Sequence, residues 1–460
     1  MMANIMKYLP TNNLFSFKVV LLATLTSIPA GSVVFVNTLI APALQCEWDL
    51  TSMEVTLISV AFYVGCAIGS WYWGRIADIY GRRKTLLATV STMVYFALLS
   101  TASSSYGFHL LTRFFVGVGY ASSFILTVIY NTEFTKSTDH GKAVFFYNLM
   151  YTFGCLFSIA VSYWTLNRYG WRIYTLASLS PSLVLICLMV AFLPESILYL
   201  QAQGRTTEVL ELLDDISKTT KNYLPKDVVF KKTRTMERDQ EGYIAVFLKH
   251  RVKICGLCFY GVPMLLNYYG LPFFVDFKLQ HSGTCKLLAN RTKLSVACSM
   301  LTDSDLLRTF LINLGYIPGA FIGYFIAEKL GRKILLNMTM VLLAACYFSQ
   351  LICLPYILSH LLLFLASGFS LCADCFIVLY ASELFPTNVR TTATGISATV
   401  WKTFSILSPL LFQHFIYLNT TVVIVLMGAW CIIGMFGLYP LPETLGKNLK
   451  DFEFRKTSYE

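Results

Sequence analysis

The chain has 460 residues, of which 56% are hydrophobic and 13% are charged, and its mean hydropathy is +0.61. Because an ordinary soluble protein carries about 25% charged residues, this composition excludes a soluble globular protein and indicates an integral membrane protein. The net charge of +11 comes mainly from basic residues between apolar stretches, so it does not indicate a nucleic-acid partner.

Apolar stretches long enough to cross a bilayer recur along the chain. A hydrocarbon core of about 30 Å requires about 20 apolar residues in a helix. The sequence predicts twelve spans, numbered 1 to 12 here, at 17–41, 52–73, 85–102, 107–130, 143–164, 173–193, 253–275, 304–327, 334–353, 357–380, 392–415 and 421–441. The N-terminal residues lack the pattern of a cleaved signal peptide, so span 1 is expected to act as the insertion signal.

The basic residues indicate an orientation in the membrane. With both termini placed in the cytoplasm, the inside segments hold 27 of the 36 Lys and Arg residues and the outside loops hold six. Because positively charged loops are retained on the cytoplasmic side, we predict a multi-pass protein with both termini cytoplasmic.

One long loop, predicted to lie outside, contains Cys285, Cys298 and the glycosylation sequon at Asn290. A disulfide between the two cysteines and a glycan at Asn290 would suit an oxidising compartment. Two free thiols are an equal alternative to the bridge. The Cys-x-x-Cys pairs inside spans 7 and 10 lack the loop and histidine partners of a zinc site, so no metal is predicted.

Three short motifs occur twice, about 250 positions apart. Asp78-x-x-Gly-Arg-Arg recurs at Glu328, Tyr130-x-x-Glu recurs at Tyr380, and Pro-Glu-Ser at 194–196 recurs as Pro-Glu-Thr at 442–444. Their shared order and spacing indicate a duplicated six-span unit, which is a known transporter plan. We therefore divide the chain into an N-terminal bundle, a cytoplasmic linker, a C-terminal bundle and a cytoplasmic tail, at 1–193, 194–250, 251–441 and 442–460.

The motifs resemble those of the major facilitator superfamily. The stretch GRIADIYGRRK at 74–84 is similar to its motif between spans 2 and 3, and PESILYL and PETLGKNL are similar to its signatures after spans 6 and 12. This resemblance implies an all-α membrane protein with twelve transmembrane helices in two pseudo-symmetric six-helix bundles. It also implies a monomer in the lipid bilayer that moves a small organic solute, with or without a coupling ion, by alternating access.

The stretches NYYGLPFF at 267–274 and YASELFPTNVRTTATG at 380–395 resemble the synaptic-vesicle-glycoprotein-related branch, near the organic cation and anion transporters. A plasma membrane or synaptic-type vesicle location follows from that resemblance. Span 1 lacks the acidic residues usual in the branch, which puts proton coupling there in doubt. The same departure supports an alternative function as a non-transporting glycoprotein that acts as a receptor or scaffold. No nucleotide-hydrolysis or catalytic motif indicates an ATP-driven pump, an enzyme or a cofactor.

Ionisable residues inside spans are candidates for function, because burying a charge in a membrane is costly. Lys402, Asp374 and Arg113 are the candidates here. The organic-ion relatives that carry a basic residue at the position of Lys402 transport anions, so the resemblance slightly favours an organic anion. An internal pair between Lys402 and Asp374 that only neutralises both charges is the alternative.

Amide and aromatic side chains are expected to complete the solute site. We predict that Asn37, Asn148, Tyr151, Asn267, Tyr268 and Tyr269 take part, with Tyr63 and Tyr147 as further candidates. Asn148 and Tyr151 share a helix face. Pro263, Gly270 and Pro272 are expected to break span 7, as interruptions often mark binding sites and gates.

The charged motifs are interpreted as a cytoplasmic latch. Exposed ion pairs, each contributing about 0–1 kcal/mol, would form and break as the inside closes and opens, with Gly74 allowing close helix approach. The expected members are Gly74, Asp78, Arg82, Arg83, Glu133, Glu195, Glu328, Arg332, Glu383, Arg390 and Glu443. For the arginines alone, simple anchoring at the headgroups is an equal alternative.

Overall fold

A computed structural model describes residues 14–135, 140–205, 207–212, 243–280, 300–352, 354–385 and 390–444. All regular secondary structure in these ranges is helical. Ten stretches of the described chain are long and apolar enough to cross a membrane. Twelve spans result, because one of the ten holds two spans and an interrupted helix between Arg390 and Leu418 adds another.

The first half contains spans 1 to 6. Spans 1 to 4 are Phe17–Leu39, Ser52–Ala77, Arg82–Ala102 and Tyr106–Asn131, and spans 5 and 6 lie within the helix His140–Phe192. That helix is 53 residues long and bends at Gly170, which has φ 81° and ψ 171°. The two spans are therefore distinct, as the sequence predicts.

The second half contains spans 7 to 12. They are Tyr243–Gln280, Asp303–Ile326, Arg332–Ser349, Tyr356–Leu384, the helical pieces between Arg390 and Leu418, and Thr420–Leu438. Span 11 comprises Arg390–Phe404, a short turn at Leu407–Pro409, the π-helix Leu410–Phe415 and Ile416–Leu418. Such π-helical segments are often found at functional sites.

Span 7 differs from its prediction. The helix continues through Pro263 and Pro272, and its one non-helical residue is His250, with φ −114° and ψ 19°. The expected break at the prolines is therefore wrong, because membrane helices tolerate proline when neighbouring groups satisfy the freed carbonyls. The helix bends instead where the linker meets the membrane.

The two halves pack in the same pattern. In the first half span 2 packs along span 4 and span 1 along span 5, and in the second half span 8 packs along span 10 and span 7 along span 11. Between the halves, span 2 meets span 11 and span 5 meets span 8. These equivalent contacts define a pseudo-symmetric pair of six-helix bundles.

Small residues allow the closest helix contacts. A Cβ added to Gly65 or Gly69 would overlap backbone atoms of span 4, and one added to Gly315 or Gly319 would overlap backbone atoms of span 10. These positions match the close packing expected of small residues in membrane helices. An added Cβ at Gly74 meets no atom within 4 Å, so the close approach predicted there is absent.

The segment after span 6 packs against the first half. Ile197, Leu200 and Val209 are buried with Val19 and Leu193 in one apolar cluster. Residues 194–205 and 207–209 therefore cover the end of the first bundle, although the sequence assigns them to a linker.

Candidate functional site

Aromatic side chains from both halves meet halfway along the spans. We call Tyr63, Tyr120, Tyr268, Tyr269 and Lys402 the central cluster. The ring centroid of Tyr269 lies 5.0 Å from that of Tyr63 and 5.1 Å from that of Tyr268. The hydroxyls of Tyr120 and Tyr269 lie 3.4 Å apart across the interface between the halves. Spans 2, 4, 7 and 11 therefore contribute to one site.

Lys402 provides the positive charge of the central cluster and is 8% exposed. Its Nζ donates a hydrogen bond of 2.5 Å to the hydroxyl of Tyr269. The same nitrogen lies 5.0 Å from the ring centroid of Tyr269 and 5.3 Å from that of Tyr120, within the range of a cation–π interaction. An ammonium group has three donors, and the described structure uses one of them in this hydrogen bond.

Asp374 on span 10 lies near this charge and is half-buried. It interacts electrostatically with Lys402 and with Tyr120. Among the described contacts, however, no ion pair of 4.0 Å or less joins Asp374 to Lys402. The neutralising pair considered from the sequence is therefore not formed in this arrangement, and both charges face the same group of tyrosines.

Four other predicted binding residues lie around or beyond the cluster. The ring of Tyr151 is 6.5 Å from that of Tyr268. The amide nitrogens of the three asparagines donate to protein atoms: Asn37 to Ser59 at 3.3 Å, Asn148 to Val144 at 2.7 Å, and Asn267 to Pro263 at 2.8 Å. The side-chain oxygens of Asn37 and Asn267 are buried without a hydrogen-bond partner in the described structure.

Arg113 lies apart from the central cluster. It is seven residues before Tyr120 on span 4, which corresponds to about 10 Å along a helix axis. Its Nε donates to His109 at 3.2 Å and its Nη2 donates to Ser100 at 3.3 Å. The structure thus brings Lys402 and Asp374 together but places Arg113 in a different environment.

The first latch cluster consists of Arg82, Arg83, Glu133, Glu195 and Ser196. Arg82 Nε lies 3.5 Å from Glu133, and the Ser196 hydroxyl donates to the same carboxylate. Glu195 accepts from the backbone N–H groups of Arg83 at 2.9 Å and Ser196 at 3.0 Å. Glu195 thereby satisfies a free donor at the start of span 3, where the helix dipole favours negative charge.

The second latch cluster consists of Arg332, Lys333, Glu383, Glu443 and Thr444. Arg332 Nε lies 3.4 Å from Glu383, and the Thr444 hydroxyl donates to Glu383 at 2.6 Å. Glu443 accepts from the N–H groups of Arg332 at 2.9 Å, Lys333 at 3.0 Å and Thr444 at 2.9 Å. The duplication inferred from sequence is therefore reproduced in matching contacts.

The latch clusters differ from their prediction in burial and in partners. The paired side chains are 12% and 10% exposed for Arg82 and Glu133, and 10% and 22% for Arg332 and Glu383. The prediction of exposed pairs is wrong, because the chain segments after spans 6 and 12 fold back over them. Each of these pairs also joins residues of one half. The side chains of Asp78, Glu328 and Arg390, and all of Cys285, Asn290 and Cys298, lie outside the described residues.

Three residues of these clusters are not identified as site residues from the sequence. Tyr120 follows Gly119 in span 4, and only its position in a span hinted at a role. Ser196 and Thr444 belong to the repeated motifs, but a hydroxyl directed at a glutamate 63 or 61 positions earlier has no local signal. The repeat itself could have found them, because both copies keep a hydroxyl after the glutamate.

Comparison with known proteins gives a consistent result. Residues 22–454 match the model of the family described as Sugar (and other) transporter. The chain is 25% identical to the synaptic vesicle 2-related protein of Bos taurus over 452 residues, covering 97% of this chain and 82% of the relative. It is 26% identical to organic cation/carnitine transporter 7 of Arabidopsis thaliana over 463 residues, covering 90% of this chain and 88% of the relative.

Solved structures agree on the fold. The proton:xylose symporter XylE has a TM-score of 0.68 at 19% identity, with 95% of this chain and 98% of that chain covered. An inward open conformation of XylE from E. coli has a TM-score of 0.67 at 19% identity, with 95% and 99% covered. Both are membrane transporters built on the twelve-helix fold described above.

Proposed function

Because the chain belongs to the Sugar (and other) transporter family, and hence to the membrane transporters of the major facilitator superfamily, we propose that it carries a small organic anion. The single observation that carries this proposal is Lys402, whose ammonium is held by a phenol and two aromatic faces. A neutral sugar would gain little from a buried charge of this kind. The similarity to an organic cation/carnitine transporter also supports an organic ion.

The tyrosines suit an organic ion with an apolar or aromatic body. Tyr269 contacts the ammonium directly, and its ring packs against those of Tyr63 and Tyr268. The anionic group of the solute would take the remaining donors of Lys402, and its body would lie against the rings. Asp374 disfavours a second negative charge, so a monovalent anion fits better than a dianion.

The central cluster joins both halves, which suits alternating access. Tyr63 and Tyr120 belong to the first half, and Tyr269 and Lys402 belong to the second. A solute that contacts both sides would bind best when the halves close around it, and this differential affinity is what shifts a two-state equilibrium. Solute binding and closure would therefore be coupled at this site.

The ends of spans 5 and 8 provide contacts that could open alternately. At one end, Phe145 lies 5.0 Å from Phe321 and 5.3 Å from Tyr324 between ring centroids. At the other end, Asn167 donates to Asp303 at 2.7 Å. We assign the latch clusters the role of keeping each half rigid while these contacts exchange, with Asp78, Glu328 and Arg390 as further members to be tested.

We further propose a monomer with both termini in the cytoplasm, in the plasma membrane or a synaptic-type vesicle membrane. The similarity to synaptic vesicle 2-related protein supports the vesicle alternative. The Cys285–Cys298 bridge and the glycan at Asn290 remain predictions for the same topology.

Transport by purified protein in liposomes tests the proposal. A panel of labelled organic anions, cations and sugars is first screened by thermal stabilisation, since a solute that binds the folded protein raises its melting temperature. Uptake of any stabilising solute is then compared for wild type, Lys402→Met and Lys278→Met. Lys278 is a matched control, because it is a half-buried lysine of the same half whose ammonium lies 5.9 Å from the Phe274 ring and outside the central cluster.

We expect anion uptake that falls at least tenfold in Lys402→Met and stays near wild type in Lys278→Met. Equal uptake by wild type and Lys402→Met would overturn the assignment of Lys402. Selective uptake of cations or sugars would overturn the anion preference. If no solute of the panel stabilises or enters, the receptor or scaffold alternative is favoured.

A further inference from the structure

Arg113 and its neighbours form a second charged site, which lies in the first half and is separate from the central cluster. Arg113 is 0% exposed. Two of its three guanidinium nitrogens donate, to His109 and to Ser100, and Nη1 is buried without a hydrogen-bond partner in the described structure. Burial without a partner is costly for a donor and more so for a charged one.

His109 does not compensate the charge. Its Nε2 accepts the hydrogen bond from Arg113, so its proton lies on Nδ1, which is 3.0 Å from the Ser103 hydroxyl. A histidine with one accepting nitrogen is neutral. The rings of Trp48 and Trp171 lie edge to face against it, each with centroids 5.5 Å away, and they enclose the histidine in an apolar wall.

Glu47 and Asp276 lie in the same region and are not paired with Arg113. Glu47 forms an ion pair of 2.8 Å with Arg172 and accepts from Trp171 Nε1 at 2.6 Å. Asp276 of span 7 acts electrostatically on Tyr174, as Arg113 does. Among the described residues, no carboxylate forms an ion pair with Arg113 itself. The guanidinium therefore has a full positive charge, a free donor and no anionic neighbour in contact.

Buried charges in proteins are paired or bind an ion. We propose that Arg113 binds a small monovalent anion, with chloride as the most available example. One positive charge matches one negative charge, and the complete burial of Arg113 favours a compact ion over a larger organic molecule. The Nη1 donor supplies the primary contact, and the site is separate from the central cluster, so it does not depend on what Lys402 binds.

A carboxylate group could satisfy Arg113 in the same way as a halide. The test therefore compares anions at constant ionic strength. Purified protein is titrated with sodium chloride, sodium bromide or sodium acetate, each replacing sodium methanesulfonate, which is neither a halide nor a carboxylate, and the melting temperature is recorded. Chloride and bromide should raise it to a plateau, whereas an effect of acetate alone would identify a carboxylate as the ligand and overturn the halide assignment.

Variants locate the effect. Arg113→Gln should lose the entire chloride-dependent shift, while Arg308→Gln should keep it. Arg308 is a suitable control because it is a half-exposed arginine already paired with Asp305 at 3.3 Å. A shift that persists in Arg113→Gln, or no shift in wild type, would overturn the proposal.

If Arg113→Gln does not fold, the wild-type protein decides the question. Crystals grown in saturating bromide should show an anomalous peak within contact distance of Arg113 Nη1. No peak at that position would overturn the proposal. Neither readout depends on transport, so a failure of this proposal is distinguishable from a failure of the proposal that the protein transports an organic anion.

Discussion

Replacing Gly81 with alanine should destabilise the protein by straining the backbone and by displacing a carboxylate. Gly81 joins spans 2 and 3 with φ 105° and ψ 157°, a conformation that is essentially restricted to glycine. An added Cβ would lie 2.6 Å from Glu195 Oε2 and 3.0 Å from a ring carbon of Tyr199. The substitution therefore strains the backbone and displaces the carboxylate of the first latch cluster.

The magnitude follows from these two effects. A non-glycine residue in such a backbone region costs about 1–3 kcal/mol. Displacing Glu195 also weakens its charged hydrogen bonds to the N–H groups of Arg83 and Ser196, which contribute about 1.5–3 kcal/mol each. We expect Gly81→Ala to lower the free energy of unfolding by at least about 2 kcal/mol.

Gly74→Ala is the matched control, because Gly74 lies in the helix Ser52–Tyr80, which ends just before Gly81. Its added Cβ meets no atom within 4 Å, and alanine is favoured over glycine in a helix by about 1 kcal/mol. Thermal unfolding of both variants in detergent, followed by tryptophan fluorescence, should show a clear loss for Gly81→Ala and no loss for Gly74→Ala. Equal stability of Gly81→Ala and wild type, or equal losses for the two variants, would refute the reasoning.

Three further predictions concern the charged residues. Tyr269→Phe removes the hydroxyl acceptor of Lys402 and should raise the KM of the transported solute at least threefold in liposome uptake, whereas an unchanged KM would contradict its place in the site. Burial raises the pKa of Glu133, which lies beyond the end of span 4 and whose charge Arg82 only partly stabilises. Because the pKa of Glu133 is raised in the folded protein, its contribution to stability is present at low pH and is lost as the pH rises through the folded pKa. The melting temperature of the wild type should therefore fall as the pH rises above about 4.5, the ordinary pKa of a glutamate. The fall should be less steep in Glu133→Gln. Arg332→Gln breaks a largely buried pair and should cost about 3–5 kcal/mol, whereas Arg205→Gln breaks an exposed pair and should cost less than about 1 kcal/mol; similar losses would argue against burial as the cause.

The spans and the duplication could be predicted because each span and each copy of a motif is a short continuous stretch of sequence. Long apolar stretches define the twelve spans, and the Gly-Arg and Pro-Glu motifs recur at a fixed spacing. The helical bend at Gly170 also falls between two predicted spans. These features depend on the chemistry of neighbouring residues, which a single sequence contains.

The contacts of the site could not be predicted, because they join distant parts of the chain. Lys402 was identified by its charge type, but its partner Tyr269 lies 133 positions earlier. Whether Asp374 pairs with Lys402 depends on distances across spans, which no spacing within one helix determines. The burial of Arg82 likewise depends on where the chain returns after span 6.

The duplicated latch also bears on how the protein is made. The described contacts of the first cluster are available once Ser196 has been synthesised, and those of the second join residues between Arg332 and Thr444. Because domains generally fold in order as the chain is synthesised, the first bundle can lock its own end while the second is still on the ribosome. Biosynthesis then needs only the docking of two finished units, and an error in one cluster leaves the other unit able to fold.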